Sequence, residues 1–401
     1  MFDNDGGLKV RRFEPVQLTL EGVGPFRHRF ELPLTNDDRA PCTFYLIGSR
    51  NGFGKTTILQ TITGLMWLLG CRTGGMDRNA DPKRWLPVDI VDGHGAAQLD
   101  ARLTVEAGGK TETVLLSICA GTSVPPVMGT KERCGSFGVE RWLPLIAESK
   151  LTYGMRLSPL YPEDKERVDG LLESIEKAQA LGRLPTKLRD HHTPLPTALF
   201  FPAERRVYRP PPGAPTLSRP SRLSYDTAHR FANDGETWGD SLEGLFAWFL
   251  WEGEERYREA RDLINRLMFF EERKRIGNID RATLTPIVET FDGAEWVPAH
   301  PLDRLSHGER AMMQLLLRIA AHVSGGTIVL IDEMEAHLHY RWKRQLMQVL
   351  KDWVNESPDM TVIVTTHDPD LIGVFAVDRK EGERLVKGGY LIDENELRGE
   401  N

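Results

Sequence analysis

Residues 49–56 read Ser-Arg-Asn-Gly-Phe-Gly-Lys-Thr, a stretch whose types and spacing suit the binding of phosphate groups. Gly52 and Gly54 let a loop wrap phosphates closely with its backbone N–H groups, and the dipole of a following helix favours the same anions. Lys55 then brings a cation to the β- and γ-phosphates of a nucleoside triphosphate, and the Thr56 hydroxyl offers an oxygen to Mg²⁺. The pattern G-x-x-x-x-G-K-[ST] is met except at its first position, which holds Ser49, with a glycine one place earlier at Gly48. A glycine-rich turn that merely starts a helix is the competing account, and it weakens where a strand precedes and a helix follows. Ile328-Val-Leu-Ile-Asp332-Glu333 is an apolar run closed by two acids. Acids at the C-terminal end of a strand lie where open α/β sheets bind ligands. Asp332 fits the shell of Mg²⁺, and Glu333 fits a general base that orients an attacking water. Alone, the same run would read equally well as a strand ending in a solvated acidic turn; the phosphate loop in the same chain tips the balance.

Two further segments carry chemistry more ambiguously. Leu305-Ser306-His307-Gly308-Glu309 opens a long helix, and Ser306-x-x-Glu309 is a capping box that satisfies orphan backbone donors without any ligand. Thr365-Thr366-His367-Asp368-Pro369 closes a strand with a histidine, which on its own is as readily a surface residue as a phosphate contact.

These segments need elements to hold them. Residues 43–47 (TFYLI) form a short apolar run, as expected of a buried strand, and from Lys55 the apolar residues Ile58, Leu59, Ile62, Leu65, Met66 and Leu69 recur at helical spacing. The last hundred residues alternate: helix over 308–323, strand over 327–331, helix over 340–354, strand over 361–365. Such alternation implies parallel strands with helices on the faces. Hairpins are expected around Gly108-Gly109 (strands 103–105 and 113–116) and around Asp292-Gly293 (strands 283–291 and 295–297). Residues 165–182 and 240–275 read as helical, the second rich in aromatics such as Phe246, Trp248, Phe249 and Trp251. From Leu184 to Pro220 nine prolines make the chain mostly extended or loop.

Composition bounds the rest. With 40% hydrophobic and 27% charged residues over 401 positions, the chain can bury a full core. A net charge of −7 argues against a surface that coats nucleic acid, while leaving room for one basic groove. No apolar run approaches the roughly 18–20 residues that span a bilayer, and the N-terminus lacks the core of a signal peptide, so a cytoplasmic protein is expected. Cys42, Cys71, Cys119 and Cys134 lack metal or redox spacing and read as plain thiols.

The order of phosphate loop, Ser306 segment, Asp-Glu pair and His367 resembles the ABC ATPase class. Within it, details look like the RecF/SMC-like branch of AAA-family ATPases, which includes the ATPase domain of OLD proteins. Asp332-Glu-Met-Glu-Ala-His-Leu-His339 is close to that branch's DEPEAHLH, and Thr365-Thr-His-Asp-Pro369 to its TTHSP. Phe200-Phe-Pro-Ala-Glu-Arg205 resembles its FFPxxR segment, and Leu18-Thr-Leu-Glu-Gly-Val-Gly-Pro-Phe26 its opening strands. Resemblance is strongest over 16–70 and 300–375 and weakest over 120–280. It implies an α/β P-loop NTPase fold: an ABC-ATPase head with a mixed sheet core and a mostly helical inserted lobe. The expected division is an N-terminal ATPase lobe at 1–120, an inserted helical and Pro-rich lobe at 121–280, and a C-terminal ATPase lobe at 281–401.

The implied activity is hydrolysis of ATP to ADP and phosphate, with ATP and Mg²⁺ as cofactors. Arg50, Asn51, Gly52, Phe53, Gly54, Lys55, Thr56 and Thr57 would hold the nucleotide. Ser306 and Gly308 would be the signature loop, facing the ATP of a second, head-to-tail copy in a homodimer or larger assembly. His367 would be the switch histidine on the γ-phosphate, beside Glu333 and Lys55 in catalysis. Thr56 and Asp332 would ligate Mg²⁺; Gln98 is the candidate Q-loop ligand, or an ordinary strand residue. Ser49 for the first loop glycine and Met334 for the usual proline are departures that remove no catalytic side chain. About 250 residues separate Lys55 from Ser306, too many for a transporter's nucleotide-binding subunit, and long SMC coiled coils are absent. About 25 residues follow the last strand–helix unit, too few for the nuclease domain of OLD proteins, so a separate effector protein is expected. The implied setting is DNA repair or defence against foreign DNA, with an ATP-gated protein-assembly scaffold or sensor as the alternative. Arg205, Arg206, Arg209, Arg219 and Arg222 would contact nucleic acid or a partner, or else form a solvated loop; the aromatic 240–275 segment is a partner surface or simply core.

Overall fold

The computed structural model describes residues 9–35, 43–71, 81–107, 109–121, 131–150, 154–181, 195–204, 215–220, 223–232, 237–270, 272–323, 326–357, 360–375, 385–386 and 389–398. In chain order these form β1 (Lys9–Glu21), β2 (Phe30–Pro33), β3 (Phe44–Gly48), α1 (Lys55–Leu69), the single turn α2 (Val88–Val91), and the long hairpin β4 (Ala96–Ala107) and β5 (Lys110–Gly121). Next come α3 (Lys131–Ser136), β6 (Arg141–Lys150), β7 (Gly154–Pro159), α4 (Lys165–Leu181), β8 (Thr197–Phe201), β9 (Ala228–Arg230), α5 (Leu242–Glu252) and α6 (Glu254–Met268). A meander β10 (Lys274–Asp280), β11 (Thr285–Phe291) and β12 (Trp296–Pro301) leads into α7 (His307–His322), β13 (Thr327–Ile331), α8 (Tyr340–Glu356), β14 (Thr361–Thr366) and α9 (Pro369–Phe375). The described chain ends with β15 (Leu385–Val386), β16 (Gly389–Ile392) and α10 (Glu394–Arg398).

The central sheet has the order β15-β16-β3-β14-β13-β8-β9, and every pairing from β16 to β9 is parallel. Its inner strands are buried throughout because both faces are covered, and apolar residues dominate them. Successive side chains point to opposite faces, so each strand divides between two cores. Tyr45, Ile47, Ile328 and Leu330 meet α1 (Ile58, Ile62, Leu65, Met66), which lies between this sheet and the second one. Phe44, Leu46, Val329 and Ile331 face the other way, into a core with Phe246, Ile264, Leu316 and Leu346 of α5, α6, α7 and α8. The second sheet, β2-β1-β4-β5-β6-β7, is antiparallel except between β5 and β6. The mixed α/β architecture is the expected one.

Residues 121–280 contribute to both sheets. β6 and β7 extend the antiparallel sheet, β8 pairs with β13 inside the parallel one, and α5 and α6 pack on its outer face. β8 is bracketed by Pro196 and Pro202, so the prolines of that stretch bound the strand without interrupting its ladder. The 240–275 helical segment is two helices, broken at Gly253, whose φ of 155° ends α5 and starts α6. Residues 274–280, partly read as helix, are strand β10.

Candidate functional site

In the central sheet β14 lies between β3 and β13, so the segments that follow all three strands emerge side by side at their C-terminal ends. Gly48 pairs with Thr366 and Ile331 with Val364, which sets the phosphate loop, the acidic pair and His367 at one edge. The loop's glycines are dictated by backbone and space. Gly52 and Gly54 have φ of 92° and 83°, and a Cβ on Gly54 would lie 2.5 Å from the Phe26 ring, so the turn after β1 presses directly on the loop. Gly48, one place ahead of the usual glycine, is held small by Ile372, which a Cβ would approach to 2.8 Å.

Lys55 begins α1 and is buried, with Nζ donating to the carbonyls of Ser49 at 2.6 Å and Arg50 at 2.9 Å. Burial lowers its pKa, and the charges of Asp332, Glu333, Glu335 and Glu394 partly offset that. Thr56 Oγ1 donates to Asp332 Oδ2 at 2.7 Å, so the two expected Mg²⁺ ligands adjoin. A hydroxyl beside one carboxylate, opening onto a phosphate loop, suits Mg²⁺, which takes few protein oxygens and completes its shell with phosphates and water. Among the described residues no group of three or more His, Cys, Asp or Glu could hold a metal by itself. Arg50, Asn51 and Gly52 are exposed along the loop, and Phe53, Gly54 and Thr57 are half-buried.

Asp332 is anchored from its other side. Thr365 Oγ1 donates to Asp332 Oδ1 at 2.6 Å and accepts from the Glu333 N–H at 2.9 Å. That bond holds Glu333 at a φ of 44°, an uncommon conformation for a side-chain-bearing residue, with its carboxylate about one-third exposed. His367 Nδ1 lies 2.9 Å from Glu335 Oε1 and 3.8 Å from Glu333 Oε1. Thr365 and Glu335 were not singled out from the sequence, although both stand inside the quoted motifs.

Ser306 and Gly308 are positioned separately. Ser306 caps α7, accepting from the Glu309 N–H at 3.3 Å, while its own N–H donates to Glu309 Oε2 at 2.9 Å, so the capping box is formed. Burial alone would raise Glu309, but Lys274 and Ser306 together hold it below the ordinary carboxylate range. Ser306 is nevertheless exposed and Gly308 half-buried, leaving this helix start open to a second molecule. A Cβ on Gly308 would come within 2.9 Å of the His337 carbonyl, and the His307 and His337 rings meet edge to face at 4.9 Å. The loop after the acidic pair thus touches the Ser306 segment within one chain.

Gln98 is corrected. It is fully buried in β4, with Nε2 donating to Asp100 Oδ1 at 2.7 Å and Oε1 accepting from Cys119 Sγ at 3.4 Å. A magnesium ligand needs its oxygen turned to the nucleotide, and this one is turned to a thiol on the neighbouring strand. Of the arginine stretch, Arg219 donates to the Leu223 carbonyl, and Arg205, Arg206, Arg209 and Arg222 lie outside the described residues. The loop gains an unexpected neighbour in α10. Arg50 pairs with Glu394, Arg398 joins the same carboxylate, and the Arg398 guanidinium lies over the Phe53 ring at 5.1 Å. No helix among the described residues is long and apolar enough to cross a membrane.

Residues 183–373 match the family described as "AAA domain, putative AbiEii toxin, Type IV TA system". The chain is 34% identical over 76 residues to the "Retron Vc95 probable ATPase" of Vibrio cholerae, a match that covers 16% of this chain and 14% of that protein. Among solved structures, the SMC head domain from Thermotoga maritima aligns over 90% of this chain and 91% of its own at 13% identity, with a TM-score of 0.35. The ATP-binding cassette MJ0796, in a dimeric post-hydrolysis state with ADP and Pi, aligns over 88% of this chain and 89% of its own at 13% identity, with a TM-score of 0.30.

Proposed function

We propose that this chain is an ABC/AAA-type ATPase of the RecF/SMC-like branch, as its motifs and its family match support, that it hydrolyses MgATP in a composite site between two copies, and that it so gates a separate effector in defence against foreign DNA. The observation that carries the chemistry is the meeting of Lys55, Thr56, Asp332 and Glu333 at one sheet edge, with Thr56 and Asp332 already 2.7 Å apart. Lys55 and the loop N–H groups bind and orient the phosphates; Thr56 and Asp332 would hold Mg²⁺, which supplies charge neutralisation when bound. Glu333 orients the attacking water and takes its proton, and His367 contacts the γ-phosphate. Ser306, exposed at the start of α7, and the half-buried Gly308 reach the nucleotide of the facing copy with a helix N-terminus. The defence setting draws on the toxin–antitoxin wording of the matched family and the retron setting of the Vibrio relative.

The test is Glu333→Gln. This variant is expected to bind ATP, to turn it over at least a hundredfold more slowly, and to accumulate as dimers or larger assemblies in MgATP by light scattering. Unchanged turnover would mean that the base lies elsewhere. A second reading, an ATP-gated scaffold that binds protein alone, is favoured by the exposed Trp251 (69%) and Phe270 (82%), since exposed large aromatics are frequent partner anchors. Recovery of nuclease-sensitive nucleic acid with the trapped Glu333→Gln assembly would favour the first reading, and recovery of protein alone the second.

A further inference from the structure

Glu335 stands two residues past the proposed general base, and the chemistry described so far does not use it. Its side chain is 7% exposed. One carboxylate oxygen, Oε1, accepts twice: from the backbone N–H of His367 at 2.8 Å and from the ring Nδ1 of the same histidine at 2.9 Å. The other oxygen, Oε2, is buried and makes no hydrogen bond among the described residues. Burying a carboxylate with one oxygen unsatisfied costs stability. A residue kept only for packing would not carry that cost, because an apolar side chain would fill the same volume without it.

The geometry points to Glu335 as the positioning residue of His367, an assignment that rests on the ATPase reading above for its catalytic consequence. A carboxylate oxygen only accepts, so the ring nitrogen facing it must carry its proton on Nδ1. Nε2, on the opposite side of the ring, is thereby turned away from Glu335 on a side chain that is 46% exposed. Gripping backbone and ring through one oxygen removes two freedoms together, the path of the chain after β14 and the rotation of the imidazole. The grip also settles a competition. Glu333 Oε1 is 3.8 Å from the same Nδ1, close enough that a modest ring rotation would bring a hydrogen bond. Glu335 claims Nδ1 at the shorter distance and so keeps the histidine from closing on the carboxylate proposed to activate water.

Position 335 therefore needs an inward acceptor and does not itself touch substrate. Gln would keep that acceptor. Because two donors converge on the one oxygen, the carbonyl of a glutamine, and not its NH₂, must face them. Ala would remove it. Outer partners that orient metal-bound histidines are worth roughly 10–100-fold when lost, and a loss on that scale is expected for the partner of His367.

The experiment compares Glu335→Gln and Glu335→Ala with the parent chain, by steady-state ATP hydrolysis and by ¹⁵N NMR of the ring nitrogens of His367, assigned with His367→Gln. Glu335→Ala is expected to lower kcat at least tenfold with KM changed less than threefold, and to replace the single Nδ1–H tautomer by a mixture. Glu335→Gln is expected to keep kcat within about threefold of the parent and to keep the Nδ1–H signature. Parental kcat and an unchanged ring signature in Glu335→Ala would overturn the assignment, as would equal losses in both variants with the ring signature intact. The NMR comparison needs no nucleotide. If the parent chain proved unable to hydrolyse ATP, the ATPase reading would fall, while the tautomer of His367 in the parent and in Glu335→Gln would still decide the positioning role. Should Glu335→Ala fail to fold, a ring in the parent carrying its proton on Nε2 would by itself refute it.

Discussion

Arg310 and Glu243 form an ion pair across α7 and α5 whose side chains are 2% and 1% exposed. Two guanidinium nitrogens meet the two carboxylate oxygens, the longer bond at 3.1 Å, and Nη1 also donates to the Leu302 carbonyl just ahead of the Ser306 segment. The pair joins the helix that presents Ser306 to the outer-face core. Replacing Glu243 by Gln strands a buried cation, which typically costs about 3–5 kcal/mol, far more than the pair contributes over a well-packed apolar substitute. Unfolding entropy near 60 °C is about 2.1 cal/mol/K per residue, so a 401-residue chain melting as one unit gains about 0.8 kcal/mol/K. The expected fall in Tm is then about 4–6 °C for Glu243→Gln, read by calorimetry. Glu243→Leu combined with Arg310→Met removes both charges while keeping most of the volume, and should recover at least half of that loss. A double variant no more stable than the single would refute the reasoning, because it would show that shape and not a stranded charge sets the cost.

Two further outcomes are expected. Lys55→Ala removes the loop's phosphate cation, a charge-assisted contact worth about 1.5–3 kcal/mol, so ATP affinity should fall by roughly 10–150-fold in a fluorescent-nucleotide titration; parental affinity would sink the phosphate-loop assignment. The Arg50 hydrogen bond holds Glu394 down to about 2, from an ordinary carboxylate value of 4.5. Its folded value is the lower one, so the α10 contact is fully present above about 4.5 and is lost as pH falls through about 2. The Arg50 Nε–H resonance should accordingly titrate near 2 and not in Glu394→Gln; titration near 4.5 would show that α10 does not grip the loop in solution.

The parts of the fold that were legible are those with both faces buried. β3 and β13 are near-continuous apolar runs, β14 is apolar over 362–364, and the residues at their ends marked the candidate site because chemistry restricts their types: a lysine after Gly54, two acids after Ile331, a histidine after Thr366. What escaped was decided between segments. Gln98 reads as a polar residue at the start of a hairpin, but its cross-strand neighbours Thr19 and Cys119 make it part of a buried polar row, which only the register reveals. The sequence Lys-Arg-Ile-Gly-Asn-Ile-Asp of β10 has weak alternation because its strand is buried at only two positions, and its neighbouring helical signal ran over it. The break of the 240–275 segment at Gly253 rests on a φ of 155°, which helical periodicity does not reveal. The double hold of Glu335 on His367 was invisible for the same reason, since the two residues belong to different strand ends.

These long-range bonds tie the motifs to one another. Thr365 Oγ1 and its carbonyl hold Asp332 and the N–H groups of Glu333 and Met334, and the Thr366 carbonyl accepts the Ser49 N–H at 3.3 Å. Phosphate loop, acidic pair and His367 therefore hang from two consecutive residues of one strand. From the acidic pair the chain runs through Glu335 to His337, whose φ of 65° turns its carbonyl onto Gly308 and its ring onto His307. A displacement at the loop proposed to bind phosphate would have a contiguous, packed route to the exposed start of α7, the surface a second copy would read. That continuity, more than any single side chain, is what would let occupancy of the nucleotide site be felt at the opposite subunit, and it places Thr365, unremarked in sequence, at the point where the route begins.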